Sequence, residues 1–460
     1  MPIKRNKRNS NQLINVSTLM IKKLLPFVTF LCIVLLSTEY AFSQQKTTFG
    51  QKIKIKKLLN EGKILVYENN YRKALNVFRT VLSYDSSNAT ANFRIAECHL
   101  NLDKPRLGKK YSLRAINLNP ETNTDVYFVL AESYHRLGEL ELAKEYYQNF
   151  KEKSSKNTNE DYDTDNRIKQ CEYAKTCLEN PVDATAENMG RKINSFNPEY
   201  AGSISANGQT LVFTSRRADT KGGQVDEIAD NMYFEDIYIS YWNDSMKEWS
   251  QSEPIEGSIN TPVHDAVLSI SPNGNSIYVY KSENGGDIFV SRKREDGTFG
   301  TANSIDEGRN VNSSYFESSA SVTEDENFIY FVSDRPGGNG QADIYTARRI
   351  GNEWTKPINL GDSINSEGDE NSVFIHPSGD LLFFTSTGHD GMGSYDIFYS
   401  KRINGKWSKA KNLGYPINTV GSEKTISVTK DLKTAYVSSN YKGSYGSTDI
   451  FKIDLSKMKF

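Results

Sequence analysis

Ser333–Arg349 reads SDRPGGNGQADIYTARR, a charged, glycine-rich connection that ends in an aspartate and two apolar residues. Alone, it fits either a ligand loop or a turn between strands. Its relatives decide between them. Asp-Ile-Tyr or Asp-Ile-Phe begins at Asp236, Asp287, Asp343, Asp396 and Asp449, at spacings of 51, 56, 53 and 53 residues. Upstream of each lies a turn, clearest in SPNGNSIYVY (271–280) and HPSGDLLFFTS (376–386), looser in SANGQTLVFTS, TEDENFIYFVS and TKDLKTAYVSS. Further upstream is an acid: Glu199, Asp265, Glu317, Glu370 or Glu423.

These landmarks fix one register for five units. Each runs acid, short strand, turn, second strand, glycine-rich connection, then the aspartate-led strand. A further turn and a final strand with Trp249, Phe299, Trp354 or Trp407 lead to Ile259-Asn260, Val311-Asn312, Ile364-Asn365 or Ile417-Asn418. Four short antiparallel strands in about 53 residues is the arithmetic of a propeller blade. The fifth unit stops where its outer strand would start, whereas MGRKIN (Met189–Asn194) matches the end of an outer strand with nothing before it. An outer strand supplied from the N-terminal side closes the ring and removes both sheet edges. The expectation is five blades over residues 189–460; the alternative is an open or six-bladed ring with a degenerate blade around residues 181–197.

Residues 51–180 have another texture, with apolar residues at helical spacing and little glycine. Gly62, Ala96 and Ala131 recur at 34 and 35 residues, as do Ala74, Gly108 and Ala143, and larger residues follow in Phe78 and Val81, then Tyr147 and Phe150. Small residues at both places let paired helices approach closely. A last helix, about 163–178, caps the stack. This half resembles the tetratricopeptide repeat, whose helix pairs stack by neighbour contact into a concave surface that holds a peptide or a partner protein; a generic helical bundle is the plainer reading. The fold class expected is therefore multidomain, an all-α superhelix followed by an all-β propeller, with a linker around residues 179–188.

The strand units resemble the WD40-like, TolB-type blades of Bacteroidota envelope proteins, in which tetratricopeptide repeats and such blades often precede an OmpA-like domain. This chain reaches Phe460 without one. The resemblance implies a place in the envelope through a partner, and some relatives serve type IX secretion and gliding. The N-terminus agrees with export: KRNKRNS and Lys22-Lys23 precede the apolar run LLPFVTFLCIVLL (Leu24–Leu36), a signal-peptide order over residues 1–43 with cleavage before Gln44. A single membrane anchor is the competing reading, but thirteen apolar residues are short for a span. The mature chain then carries no transmembrane segment and lies in the periplasm. It keeps Cys98, Cys171 and Cys177, too few to staple it.

The glycine connections are candidate calcium loops, since calcium takes several oxygens from one loop, but tight turns explain the glycines and an Asx-type bond to backbone explains the aspartates. The repeated acids either ring the central channel or tie neighbouring blades. Trp249, Trp354 and Trp407 read as packing, and His99 and His135 as inter-helix packing or partner contacts. The longest connection, Arg216–Asp236, is the expected contact loop, because a scaffold tolerates variation there. The sequence has no HExxH, GxSxG, phosphate loop or strand-led GxGxxG, so neither enzyme nor cofactor is expected. A formal net charge of −1 gives no basic field for nucleic acid. What remains is a scaffold for envelope proteins, such as outer-membrane or secretion-machinery components, with carbohydrate or peptidoglycan recognition as the alternative.

Overall fold

The computed structural model describes residues 47–227 and 230–460; the expected signal peptide lies outside them. No helix among the described residues is long and apolar enough to cross a membrane.

Three helix pairs come first: α1 (Phe49–Tyr67) with α2 (Tyr71–Tyr84), α3 (Ala89–Asn101) with α4 (Pro105–Leu118), and α5 (Asp125–Arg136) with α6 (Leu140–Lys153). The short α7 (Lys156–Asp161) and the capping α8 (Thr164–Glu179) follow. A capping box starts α1, with Thr48 Oγ1 accepting from Gln51 N and Gln51 Oε1 from Thr48 N. Each pair turns on a left-handed residue, Asn69, Asp103 or Gly138, which repeat at the same 34 and 35 residues as the small packing positions. Those small positions are needed sterically. A Cβ at Gly62 would lie 2.5 Å from Cζ of the fully buried Phe78, and one at Gly108 would lie 2.6 Å from Ser133 Oγ.

The propeller has five sheets. The innermost strands are Glu199–Ile204, Ala266–Ile270, Glu317–Val322, Glu370–Ile375 and Glu423–Val428. The second strands are Thr210–Ser215, Ser276–Lys281, Phe328–Ser333, Leu381–Ser386 and Thr434–Ser439, and the third begin at the five expected aspartates. Every inner strand carries a register shift against its neighbour. Ser203, Ser319 and Ser321 then use their hydroxyls to accept backbone N–H groups of the next blade, from Ile270, Val373 and Ile375 at 3.0–3.1 Å.

Two details depart from the sequence reading. In blades one, three and four the final strand is split in two. Trp249, Trp354 and Trp407 sit on two-residue strands paired to the far end of the third strand, and a separate pair of residues forms the outer edge. The ring is closed by Thr185–Asn188, antiparallel to the last strand with Thr185 opposite Asp454 and Asn188 opposite Phe451. That strand precedes Met189 and lies inside the segment expected to be linker. The alternating apolar pattern that marks inner strands is absent from it, because all four residues are exposed or half-buried.

The tryptophans join the blades. Trp249 meets Tyr436 edge-on at 6.0 Å and Trp407 meets Tyr330 at 6.1 Å, each tyrosine lying on the second strand of the preceding blade. Trp354 shares a core with Tyr278, and Phe299 with Val212, in the same relation. The fifth junction uses Phe460, whose ring meets Phe383 at 5.4 Å. Aromatic pairs of this kind add about 0.5–1.5 kcal/mol beyond the area they bury.

Candidate interaction site between the helices and the propeller

Each residue expected to define a blade has a specific partner. Asp343 accepts the backbone N–H groups of Asn339 (2.5 Å) and Gly340 (3.1 Å), Asp396 those of Met392 and Gly393 (2.9 and 3.0 Å), and Asp449 those of Tyr445 and Gly446 (2.7 and 3.0 Å). Asp236 accepts from Lys221 N at 2.6 Å, and Asp287 is buried like the rest. The glycine connections thus wrap around the aspartates that follow them. Burial raises Asp236 and Asp396 to about 6. Among the described residues no group of three or more His, Cys, Asp or Glu is arranged to hold a metal ion.

The acids Glu199, Asp265, Glu317, Glu370 and Glu423 are completely buried. Each binds the residue four positions upstream, Ser195, Thr261, Ser313, Ser366 or Thr419, through both its backbone N–H and its hydroxyl. Those residues lie on the segment arriving from the preceding blade, so each carboxylate pins the crossing between two blades. The narrow channel pocket, of about 20 Å³, is lined by residues such as Ser203, Leu268, Ser319, Phe374 and Thr425 instead. The charge balance differs around the ring. Glu199 and Glu317 are paired with Arg217 and Arg335, and Asp265 with Lys281, whereas Glu370 and Glu423 form no ion pair with any described residue. Burial accordingly pushes Glu370 up to about 7 and, with the nearby charge of Asp396, raises Glu423 well above the carboxylate range.

A constellation that motif reading did not assign is the asparagine of the Ile-Asn dipeptide. Asn194, Asn260, Asn312, Asn365 and Asn418 each accept from the backbone N–H of the residue after a blade aspartate, at 2.7–2.9 Å, and donate to its carbonyl, at 2.8–3.1 Å. The side-chain amide thereby replaces a strand neighbour for that N–H, while the carbonyl is shared with a backbone N–H of the outer edge, such as Leu413 N on Ile397 O at 3.0 Å. Its repeated position was visible in the sequence, but its two-point bond needed coordinates.

The turns joining the paired helices lean on the propeller face that carries the glycine connections. Leu130, Tyr134 and Tyr147 share a core with Met392, against which Tyr415, Val420, Tyr173 and Cys177 also pack. His135 donates Nε2–H to Met392 O at 2.8 Å, and burial lowers its pKa, which keeps it neutral. Beneath it Glu132 is enclosed; burial would raise its carboxyl, but Arg167 and Arg136 hold it at about 2. Cys98, Cys171 and Cys177 are free thiols. His99 stacks on Tyr111 at 5.6 Å, away from this seam.

The long connection Arg216–Asp236 forms a second tether. Arg216 binds both oxygens of Asp230 (2.5 and 3.0 Å) and Tyr233 O (2.7 Å), and His264 stands between Asp226 (3.1 Å) and Glu235 (3.0 Å). Lys73 of α2 donates to Glu227 O at 2.7 Å. Between these two attachments opens a cleft of about 700 Å³, reaching from Tyr71, Arg72, Asp103 and Arg136 on the helices to Asn371 and Lys424 at the channel mouth. Its size falls within the range of ligand pockets. Outside the cleft, Arg191 is sandwiched between the exposed rings of Phe196 and Tyr445, at 3.7 and 4.1 Å, and Tyr315 and Phe316 are exposed near blades two and three.

Comparison with known proteins gives one family match and a set of distant structural likenesses. A tetratricopeptide repeat family model matches residues 124–151. No curated protein matches. The first tetratricopeptide domain of Spaghetti (RPAP3), solved with an HSP90 peptide, is 20% identical over 27% of this chain and 96% of its own, with a TM-score of 0.25. The Sgt2 tetratricopeptide domain from Aspergillus fumigatus is 19% identical over 28% of this chain and 87% of its own, with a TM-score of 0.25. TolB from Acinetobacter baumannii is 17% identical over 46% of this chain and 44% of its own, with a TM-score of 0.30. The paired helices, matched in part by that family model, and the five sheets of the structure make the chain a tetratricopeptide-like superhelix joined to a five-bladed propeller.

Proposed function

We propose that this protein is a non-catalytic adaptor of a bacterial cell-envelope assembly, acting in the periplasm and holding partner proteins on the surface shared by its helices and its propeller. One observation carries the reading: the seam around His135 and Met392 fixes the superhelix over the loop face, so that two recognition surfaces open into a single cleft. A fixed pair of surfaces binds by multivalency, each contact modest and the joined affinity high. The resemblance of the blades to Bacteroidota envelope proteins supplies the location, and attachment to type IX secretion or gliding components is its finer form. In-cell photo-crosslinking from position 371 tests the reading. A discrete protein adduct, recovered with the periplasmic fraction, is expected; cell-wall material with no protein would overturn it.

Carbohydrate or peptidoglycan recognition is the second reading, and the exposed rings of Phe196, Tyr445, Tyr315 and Phe316 favour it. They occupy two separate places on the loop face rather than one platform. Binding of purified cell wall that Phe196→Ala and Tyr315→Ala abolish would establish this reading.

A further inference from the structure

The cleft between the helices and the propeller is chemically one-sided. Its carboxylates are already engaged: Asp103 Oδ2 accepts from Asn440 Nδ2 at 2.6 Å and its Oδ1 lies 4.0 Å from Arg136, while Asp230 holds Arg216. Its cations are not all matched. Arg136 is shared among Glu132, Asp103 and the carbonyl of Leu100, but the guanidinium of Arg72 and the ammonium of Lys424 have no hydrogen bond or ion pair among the described residues. The hydroxyls of Ser394, Ser422 and Ser447, on the same wall, also have no partner there.

Lys424 is distinctive within the repeat. The residue after the blade acid is Tyr200, Ala266, Ser318, Asn371 and Lys424 in the five blades, so only blade five, whose Asn440 meets Asp103 of the helical half, sets a cation at this position. It does not neutralise the adjoining Glu423, because successive residues of a strand face opposite sides; Glu423 bonds instead to Thr419 and Ser439. Lys424 is solvent-exposed on the cleft wall, where desolvation by the surrounding protein lowers its pKa and the charge of Asp103 partly offsets that. An accessible cation without an ion pair on that wall can meet an opposite charge that enters the cleft.

We infer that the cleft binds an acidic, extended segment of a partner protein, with its carboxylates on Arg72 and Lys424 and its polar groups on the serine hydroxyls. This rests on the adaptor reading and names the chemistry of the partner. A sugar is less well served here, since the cleft tyrosines offer no open ring: Tyr71 and Tyr395 are half-buried, with hydroxyls committed to Asn69 and Asp369. A nucleic acid would need a basic field that a chain of net charge −1 does not have.

Fluorescence anisotropy with the full chain and three labelled octapeptides tests this, using alternating Glu-Ser, Gln-Ser and Lys-Ser. The Glu-Ser peptide alone should bind, weakening roughly tenfold in the double variant Arg72→Gln/Lys424→Gln and with added salt. Lys430→Gln, which removes an exposed lysine paired with Glu324 elsewhere, should bind as the unmodified protein does. Equal binding of the Glu-Ser and Gln-Ser peptides, or undiminished binding in the double variant, would overturn the inference. A protein adduct from position 371 together with either of those results leaves the adaptor reading standing and removes only this one. Peptide binding that the double variant loses, with no protein adduct in cells, does the reverse.

Discussion

Replacing Asn418 by alanine should weaken the propeller by more than its loss of volume suggests. Asn418 is fully buried, and its side chain accepts from Ile397 N at 2.7 Å and donates to Ile397 O at 2.8 Å. Both backbone groups lie on the third strand of blade four; Ile397 O keeps a second donor in Leu413 N at 3.0 Å, but alanine leaves Ile397 N without a substitute partner. An orphaned buried polar group costs about 1–3 kcal/mol, so the stranded N–H of Ile397 implies a loss of about 1–3 kcal/mol. Urea unfolding followed by tryptophan fluorescence reads this directly, because Trp242, Trp249, Trp354 and Trp407 all lie in the propeller. Asn418→Asp preserves the acceptor but loses the donor and adds a buried charge, and should also be destabilising. A change below about 0.5 kcal/mol for Asn418→Ala, with an unchanged urea dependence, would show that the amide does not serve as a strand substitute.

Glu370, raised to about 7 chiefly by burial, contributes stability that is complete below the unfolded carboxylate pKa and disappears as pH rises through 7; Glu370→Gln should flatten the decline in urea midpoint between pH 5 and pH 8. His264 is raised by its bond to Glu235, partly offset by burial and supported by Asp226, so its contribution is present below about 6.5 and lost as pH rises through the folded value. Amide exchange around Val225 and Tyr233, corrected for intrinsic rate, should accelerate across that window, and His264→Gln should abolish the transition. Gly62→Ala drives a methyl group into the Phe78 ring and should cost the helical half about 1–3 kcal/mol, seen as a lower helical melting temperature by circular dichroism while the propeller fluorescence transition stays in place.

The blade count, the strand order within a blade and the helix-pair repeat were legible in the sequence because a repeated fold imposes repeated residue types at fixed spacing. The aspartates, acids and tryptophans showed up for that reason. The closing strand was not legible: Thr185–Asn188 pairs on one side only and buries little, so selection on its side chains leaves no alternating pattern. The cleft was hidden for another reason. Lys424, Arg72 and Met392 matter through where they meet, and 352 positions separate the two cations in the chain. His135 reads in the sequence as inter-helix packing or a partner contact; its ring instead bonds Met392 O, in the other half of the same chain.

The closing strand also determines how force would travel through the molecule. The segment leaving the helices becomes the outermost strand of the last blade within a few residues, so a pull on the helical half would load four backbone pairs in shear, with Thr185 to Asn188 held against Asp454 to Phe451. Shear along a strand requires those pairs to yield together, whereas peeling breaks them one at a time. The joint between the two halves is therefore also the clasp of the ring, and a partner tugging on the helices would meet resistance from the propeller before any linker could lengthen.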